Sequence, residues 1–174
     1  MLTRVNKWIS RTTQCLAYYV CLCYSPPQNM NSIDKDVQDA NWKNTRPFIP
    51  NIKACKVIKV YDGDTITVAT KLHETFPVHR FSVRLSGIDT PELRTSNENE
   101  KKRAYIAKKY LEDKILNQTV VLDNIATEKY GRLLATVYYN GVDINKEMIE
   151  NTYAVSYTGG KKTTPPEWLE DLEE

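Results

Sequence analysis

A closed five-stranded Greek-key barrel, mainly β within the α+β class and flanked by about two to three helices, is the fold this sequence predicts. Three observations lead there. Five short runs either alternate apolar with polar residues or are rich in β-branched side chains, the pattern of half-buried strands. A long stretch with apolar residues three and four positions apart lies between the third and fourth runs, and a helix at that point suits a small closed barrel. Tyr61-Asp62-Gly63-Asp64 separates the first two runs, and Asp-Gly between β-branched runs is a strong hairpin signal.

Residues 1–24 precede the barrel. Arg4, Lys7 and Arg11 come first, followed by a short apolar run from Cys15 to Tyr24, about half the length needed to span a bilayer. A basic start before a short apolar run fits a signal peptide, although no clear small-residue cleavage site follows. It fits equally an interfacial anchor, with Leu2, Val5, Trp8 and Ile9 at near-helical spacing and cysteines open to fatty acylation. Either reading favours a secreted or membrane-associated protein, with a cytoplasmic one still open. Residues 25–50 turn to Pro, Asn, Asp and Gln without a period and read as a polar linker. Trp42, Phe48 and Ile49 are large apolar groups within it, expected to dock on the domain that follows.

The domain is expected over residues 51–160. Val57 to Val60 and Thr65 to Ala69 are the first two strands. A polar loop from Lys71 to His79 leads to the third, where Phe81, Val83 and Leu85 alternate with Ser82, Arg84 and Ser86, so Arg84 should face away from the core. Pro91 ends that stretch, because it cannot donate to a ladder and holds Thr90 extended. Thr95-Ser96-Asn97-Glu98 has capping-box spacing. Ala104, Ala107, Leu111 and Ile115 then mark the apolar face of an amphipathic helix of about five turns. Its other face, with Lys101, Lys102, Arg103, Lys108 and Lys109, reads as solvated. Thr119 to Leu122 and Leu133 to Tyr139 are the fourth and fifth strands, and Asn140-Gly141 closes the latter. Asp143 to Asn151 predicts a short helix with Ile144, Met148 and Ile149 inward. Residues 161–174 form an acidic tail with room for only a short helix.

Charge and cysteine usage narrow the function classes. The 174 residues carry 24 basic and 22 acidic side chains, so net charge alone argues for no nucleic-acid partner. Residues 51–162, with eighteen basic and fourteen acidic groups, are mildly basic, and residues 163–174 carry five acids and no base. Three of the four cysteines (Cys15, Cys21, Cys23) precede the domain and leave Cys55 alone within it, which excludes a disulfide framework. His73 and His79 lack partners at zinc spacing and are read as surface residues.

The chemistry gathers at two places. Asp62 and Asp64 on the hairpin, and Asp89-Thr90-Pro91-Glu92 after the third strand, supply carboxylates and a turn carbonyl. Oxygen donors of this kind suit calcium or magnesium rather than zinc, though Asp-Thr-Pro is also ordinary turn chemistry. An EF-hand is discarded, since the rest of its twelve-residue loop is missing. The second place is Glu128-Lys129-Tyr130-Gly131-Arg132, where Arg132 has opposite parity to Leu133, Ala135 and Val137. Two outward arginines, a metal site and a carboxylate are enough to attack a phosphodiester, because the metal and both guanidiniums can oppose charge growing on the phosphate oxygens. Arginine suits the task because its fork binds two oxygens at once.

In this order, Asp62-Gly63-Asp64-Thr65, Arg84, Asp89-Thr90-Pro91-Glu92 and Lys129-Tyr130-Gly131-Arg132 resemble the motifs of the staphylococcal nuclease (thermonuclease) family, from Lys56 to Gly160. The resemblance implies an OB-type five-stranded barrel and a calcium-dependent endonuclease that hydrolyses DNA and RNA with little sugar specificity. It implies single-stranded substrate as the preferred one, 3′-phosphate ends, and a monomer. By motif, Asp64, Asp89 and the Thr90 carbonyl would hold Ca2+, and Asp62 would support the ion without touching it. Glu92 would position or deprotonate the attacking water, Arg84 and Arg132 would clamp the scissile phosphate, and Lys129 and Tyr130 would touch a neighbouring one. Tyr157, placed after the last helix, is a candidate base-stacking residue. So few ligand charges imply weak calcium binding, on the order of 10⁻⁴ to 10⁻³ M.

Two departures from the family pattern stand out. The segment after Glu92 is shorter than the basic loop of well-known members, and about ten residues after Pro165-Pro166 replace a long last helix. Trp42, Phe48 and Ile49 are the expected substitutes for that cover. The alternative function is a catalytically silent nuclease-like module that binds nucleic acid or protein. A third reading is a membrane-tethered adaptor whose N-terminal cysteines matter most.

Overall fold

Five β-branched runs close into a barrel because each buries alternate residues against the others. The computed structural model of the chain describes residues 34–128, 131–160 and 162–170. The expectations for residues 1–24, and the positions of Lys129 and Tyr130, lie outside them. Two units divide the chain, Met1–Arg46 and Pro47–Glu174. In the first, Asp34 caps a four-residue helix, α1 (Lys35–Gln38), by accepting from the Asp36 amide at 2.8 Å. None of the described helices is long and apolar enough to cross a membrane.

The second unit holds the barrel. Its strands are β1 (Ala54–Val60), β2 (Thr65–Thr70), β3 (His79–Leu85), β5 (Thr119–Thr127) and β6 (Leu133–Tyr139). The sheet runs β3-β2-β1-β5-β6 and closes through a parallel pairing of β3 with β6, in which Arg84 lies opposite Leu134. Helix α2 (Glu98–Ile115) connects β3 to β5 and buries Ala104, Ala107, Leu111 and Ile115. The apolar spacing thus located both the helix and its buried face. Helix α3 (Ile144–Glu150) buries Ile144, Asn145 and Met148, and Asp143 caps it. Leu111, Ile115, Ile144 and Met148 form one core with Val57, Ile66, Val68, Val83, Leu85 and Val137. Each such aliphatic side chain, fully buried, contributes about 1.5–3 kcal/mol.

Several expectations require correction. The α2 cap is Asn97, which accepts from the Asn99 and Glu100 amides at 2.9 Å, while Thr95 accepts only from the Asn97 amide. Strand β5 runs past Leu122 to Thr127. Its continuation was hidden because Asp123 and Asn124 are poor strand formers, and the register shifts there around Asn124 at φ 51°. Two-residue strands β4 (Ile88–Asp89) and β8 (Val155–Ser156) pair antiparallel, and both are too short to show a period. β7 (Val142–Asp143) continues from β6 through the expected Asn140-Gly141 turn. Ile149 packs against the core only partly buried.

The expected cover also differs. Phe48 is 75% exposed and Ile49 is exposed as well, so these two do not supply the expected cover. Trp168, in a 3-10 turn (Pro166–Trp168) of the tail, is buried instead, and the Leu169 carbonyl accepts from Asn99 Nδ2 at 3.2 Å. Proline at the start of the turn presets its backbone, and the indole supplies apolar area that the open linker residues do not.

Asn145 joins three elements at the closure. Its Nδ2 donates to the Ser86 and Ala135 carbonyls at 2.8 and 3.1 Å, and its Oδ1 accepts from the Val137 amide at 3.0 Å. Replacing it would orphan buried backbone groups. Asn145→Ala should therefore destabilise the fold by about 3 kcal/mol, measured as a lowered urea midpoint with unchanged m-value.

Candidate active site

The hairpin between β1 and β2 carries Asp62, Gly63 and Asp64 to the mouth of the barrel. Because Thr65 pairs with Arg84 across β2 and β3, Asp64 comes to the end of β3, and its carbonyl accepts from the Leu85 amide at 2.8 Å. The second strand is therefore what meets the third here. Gly87, at φ 77°, then turns the chain back into β4, which returns Asp89 to the same place. Gly63 lets the hairpin tip close onto Thr90, since a Cβ there would lie 3.0 Å from three of its side-chain atoms.

Arg84 does lie on the parity opposite to Val83 and Leu85, but it is covered, only 9% exposed. One nitrogen of its guanidinium is ion-paired with Asp64. The other donates to Asp89 at 3.0 Å and to the Ile88 carbonyl at 3.3 Å. Asp64, Asp89 and Thr90 are buried around it. Thr65 Oγ1 donates to Asp64 at 2.8 Å, and Asp62 accepts from the Asp64 amide at 3.2 Å.

These groups open into a cavity of about 380 Å³ that Glu92, Arg132 and Tyr157 also line. Arg132 precedes β6, and its fork meets Glu128 at 2.6 and 3.0 Å across the turn that contains Gly131, at φ 80°. Glu92 is mostly exposed, with its backbone amide held by buried Glu100 at 3.2 Å. Tyr157 follows β8, its amide bonded to the Gly87 carbonyl and its hydroxyl donating to the Gly160 carbonyl at 2.8 Å. The structure thus brings Asp62, Asp64, Arg84, Asp89, Thr90, Glu92, Arg132 and Tyr157 to one mouth of the barrel.

Four further residues shape this site and had no assigned role in the sequence. Lys162 contacts Asp89 at 2.7 Å and also pairs with Glu92; no local pattern signals a contact 70 positions away. Glu128 was visible at i,i+4 spacing from Arg132. Glu100 was visible too, as an acid four residues before Ala104 on an otherwise apolar helix face. Asn145 gave no comparable sign.

The electrostatics are unbalanced. Five carboxylates (Asp62, Asp64, Asp89, Glu92, Glu128) meet three cationic side chains (Arg84, Arg132, Lys162). Burial first, and the neighbouring Asp62 charge second, push the Asp64 carboxyl up to about 7, although Arg84 pulls it down. Glu128 holds Arg132 firmly charged by its hydrogen bonds. All candidate donors for a cation are oxygens, from Asp64, Asp89 and the Thr90 backbone, so their chemistry fits a hard divalent ion. Among the described residues no group of three or more His, Cys, Asp or Glu side chains is assembled to hold a metal, so the carbonyl and water would have to complete such a set.

Comparison with known proteins adds an independent observation. Residues 82–174 match the sequence profile of the family described as "Staphylococcal nuclease homologue". An "uncharacterized endonuclease" of Haemophilus influenzae is 36% identical over 105 residues, covering 59% of this chain and 52% of that protein. A Schizosaccharomyces pombe protein named "probable endonuclease" is 35% identical over 85 residues, 45% of this chain and 37% of that one. An uncharacterized protein of Bacillus anthracis is 36% identical over 142 residues, 78% of this chain and 62% of its own length. The chain thus spans roughly half the length of the relatives it matches.

Two outcomes follow from this geometry. Gly63→Ala should cost about 1–3 kcal/mol, because its Cβ would meet Thr90 in a closed site, read as a lowered thermal midpoint. Asp64 titrates in the folded protein at about 7, above its unfolded value of about 3.9. The folded state therefore binds more protons than the unfolded state between those values, and the cation-free protein should lose stability as pH rises through that window. Asp64→Asn should flatten this slope in urea midpoints taken between about pH 4 and about pH 8.

Proposed function

The chain belongs to the staphylococcal nuclease family, and we propose that it is a calcium-dependent endonuclease that hydrolyses phosphodiester bonds in DNA and RNA. The observation that carries this reading is the buried Arg84 guanidinium between Asp64 and Asp89, at the floor of a cavity that Arg132 and Glu92 also line. Gathering these charges costs desolvation that a purely structural turn has no need to incur.

Asp64, Asp89 and the Thr90 carbonyl would hold the ion, and Asp62 would support it through the Asp64 backbone. Bound there, calcium would supply positive charge opposite the phosphate oxygens. Arg84 and Arg132 present two guanidiniums toward the same cavity, suited to the negative charge that grows on phosphorus oxygens in the transition state. A phosphate reaching Arg132 must compete with Glu128 for its fork. Glu92, exposed and anchored through its backbone to Glu100, is free to orient a water or accept its proton once Lys162 moves aside. Tyr157 offers an aromatic ring at the rim, and Lys129 and Tyr130 are assigned to a neighbouring phosphate on their motif alone.

Supported on the resemblance are 3′-phosphate products, little discrimination between sugars, a preference for single strands, and a monomeric enzyme. Residues 1–24 are proposed to direct the protein to a membrane surface or out of the cell, where calcium is plentiful enough for a weak site.

Cleavage of a single-stranded oligonucleotide by the purified chain, with calcium or with EDTA, tests the proposal. Arg84→Ala and Glu92→Gln should each lower the calcium-dependent rate by about two orders of magnitude, the scale of losing one transition-state contact. Binding without cleavage, unchanged in both variants, would instead identify a silent nucleic-acid-binding module.

A further inference from the structure

A second groove lies beside the proposed catalytic cavity. Its volume is about 440 Å³, and Asp62 and Glu92 line both. Its remaining walls differ in character from the acidic site. Lys59 projects from β1, Arg94 from the segment after Glu92, and Lys108 from α2, with the Tyr61 ring among them. Tyr61 is 47% exposed.

The cations are arranged around that ring. Lys59 Nζ sits 5.7 Å from its centroid, and Arg94 Nη2 donates to its hydroxyl at 3.2 Å. Among the described residues neither Lys59 nor Arg94 has a carboxylate at ion-pair distance, whereas Lys108 has Glu112 at 3.7 Å. Two cations without a carboxylate at ion-pair distance, one of them over the half-exposed Tyr61 ring, in a groove that shares Asp62 and Glu92 with the proposed catalytic cavity, have the composition of a single-strand binding track. Cations follow the phosphates and a ring takes the face of an unpaired base.

We propose that this groove binds the nucleic-acid strand one or two nucleotides beyond the scissile phosphate, with a base stacked on Tyr61 and the adjoining phosphates on Lys59 and Arg94. The assignment rests on the nuclease reading for its polarity toward the cavity. It gives a physical source for single-strand preference, because in a duplex both faces of each base are already stacked on their neighbours. Lys108, partly occupied by Glu112, adds charge at the rim.

The test uses the full chain and a fluorescent oligothymidylate of about a dozen nucleotides, spanning several contacts of such a track, with EDTA to prevent cutting. Tyr61→Ala should weaken single-strand binding about tenfold and leave duplex binding unchanged, while Tyr61→Phe should retain most of the affinity. Arg94→Gln, at an exposed position, should reduce the slope of log K against log salt by about 0.7. Single-strand affinity unchanged in Tyr61→Ala and Arg94→Gln would overturn the proposal, as would equal losses for single strand and duplex or no oligonucleotide binding by the wild-type chain. Selective loss in these variants, in a protein that never cleaves with calcium, would support the groove and reject the nuclease reading.

Discussion

The pairing of Arg84 with Asp64 and Asp89 is the constraint on which the mouth of the barrel depends. An arginine withdrawn from water costs several kcal/mol unless its donors are met, and here two carboxylates and the Ile88 carbonyl meet them. Those partners come from the start of β2 and the return strand β4, so satisfying one side chain fixes the separation of two chain segments. Gly63 and Gly87 make the approach possible, one by lacking a Cβ against Thr90 and the other by turning at positive φ. The closure of β3 on β6, locked by Asn145, then keeps Arg84 and the start of β6 on neighbouring strands.

The same constraint leaves the site with more negative charge than positive. Arg84 cannot neutralise both aspartates and their neighbours, and burial first, with the Asp62 charge second, raises the Asp64 carboxyl in spite of it. Lys162 leans onto Asp89 and Glu92, and Glu128 occupies Arg132. Lys162 is partly exposed, so its contacts are individually worth little in water, whereas the two-bonded Arg132–Glu128 pair is mostly covered. A pocket of this kind holds its buried charges rigidly and its outer charges loosely.

Much of this was legible in the sequence, for identifiable reasons. Strands β1, β2, β3 and β6 declared themselves because half-buried strands must alternate, and α2 because its apolar residues recur every turn. The hairpin carrying Asp64 and the proline-stopped strand carrying Asp89 were legible too, but the β2–β3 pairing that brings Asp64 to Arg84 was not. What stayed hidden had no periodic signature. β4 and β8 are two residues long, β5 continues through an Asp-Asn irregularity, and Lys162 reaches its partners from 70 positions away. The linker aromatics misled in the opposite direction. Apolar character made Phe48 and Ile49 look like cover, while the tail residue Trp168, preset by its prolines, is the one that is buried.

At the proposed site a hard divalent cation would fill the charge deficit around Asp64 and Asp89. Thermal unfolding of the metal-free chain, compared with the chain in about 10 mM calcium, tests it without depending on catalysis. A ligand that binds only the folded state at ten or more times its dissociation constant stabilises by about 1.4 kcal/mol or more. The account predicts a clear rise in the midpoint for the wild-type protein and none for Asp64→Asn. No calcium-induced rise in the wild type, or an equal rise in both proteins, would contradict it.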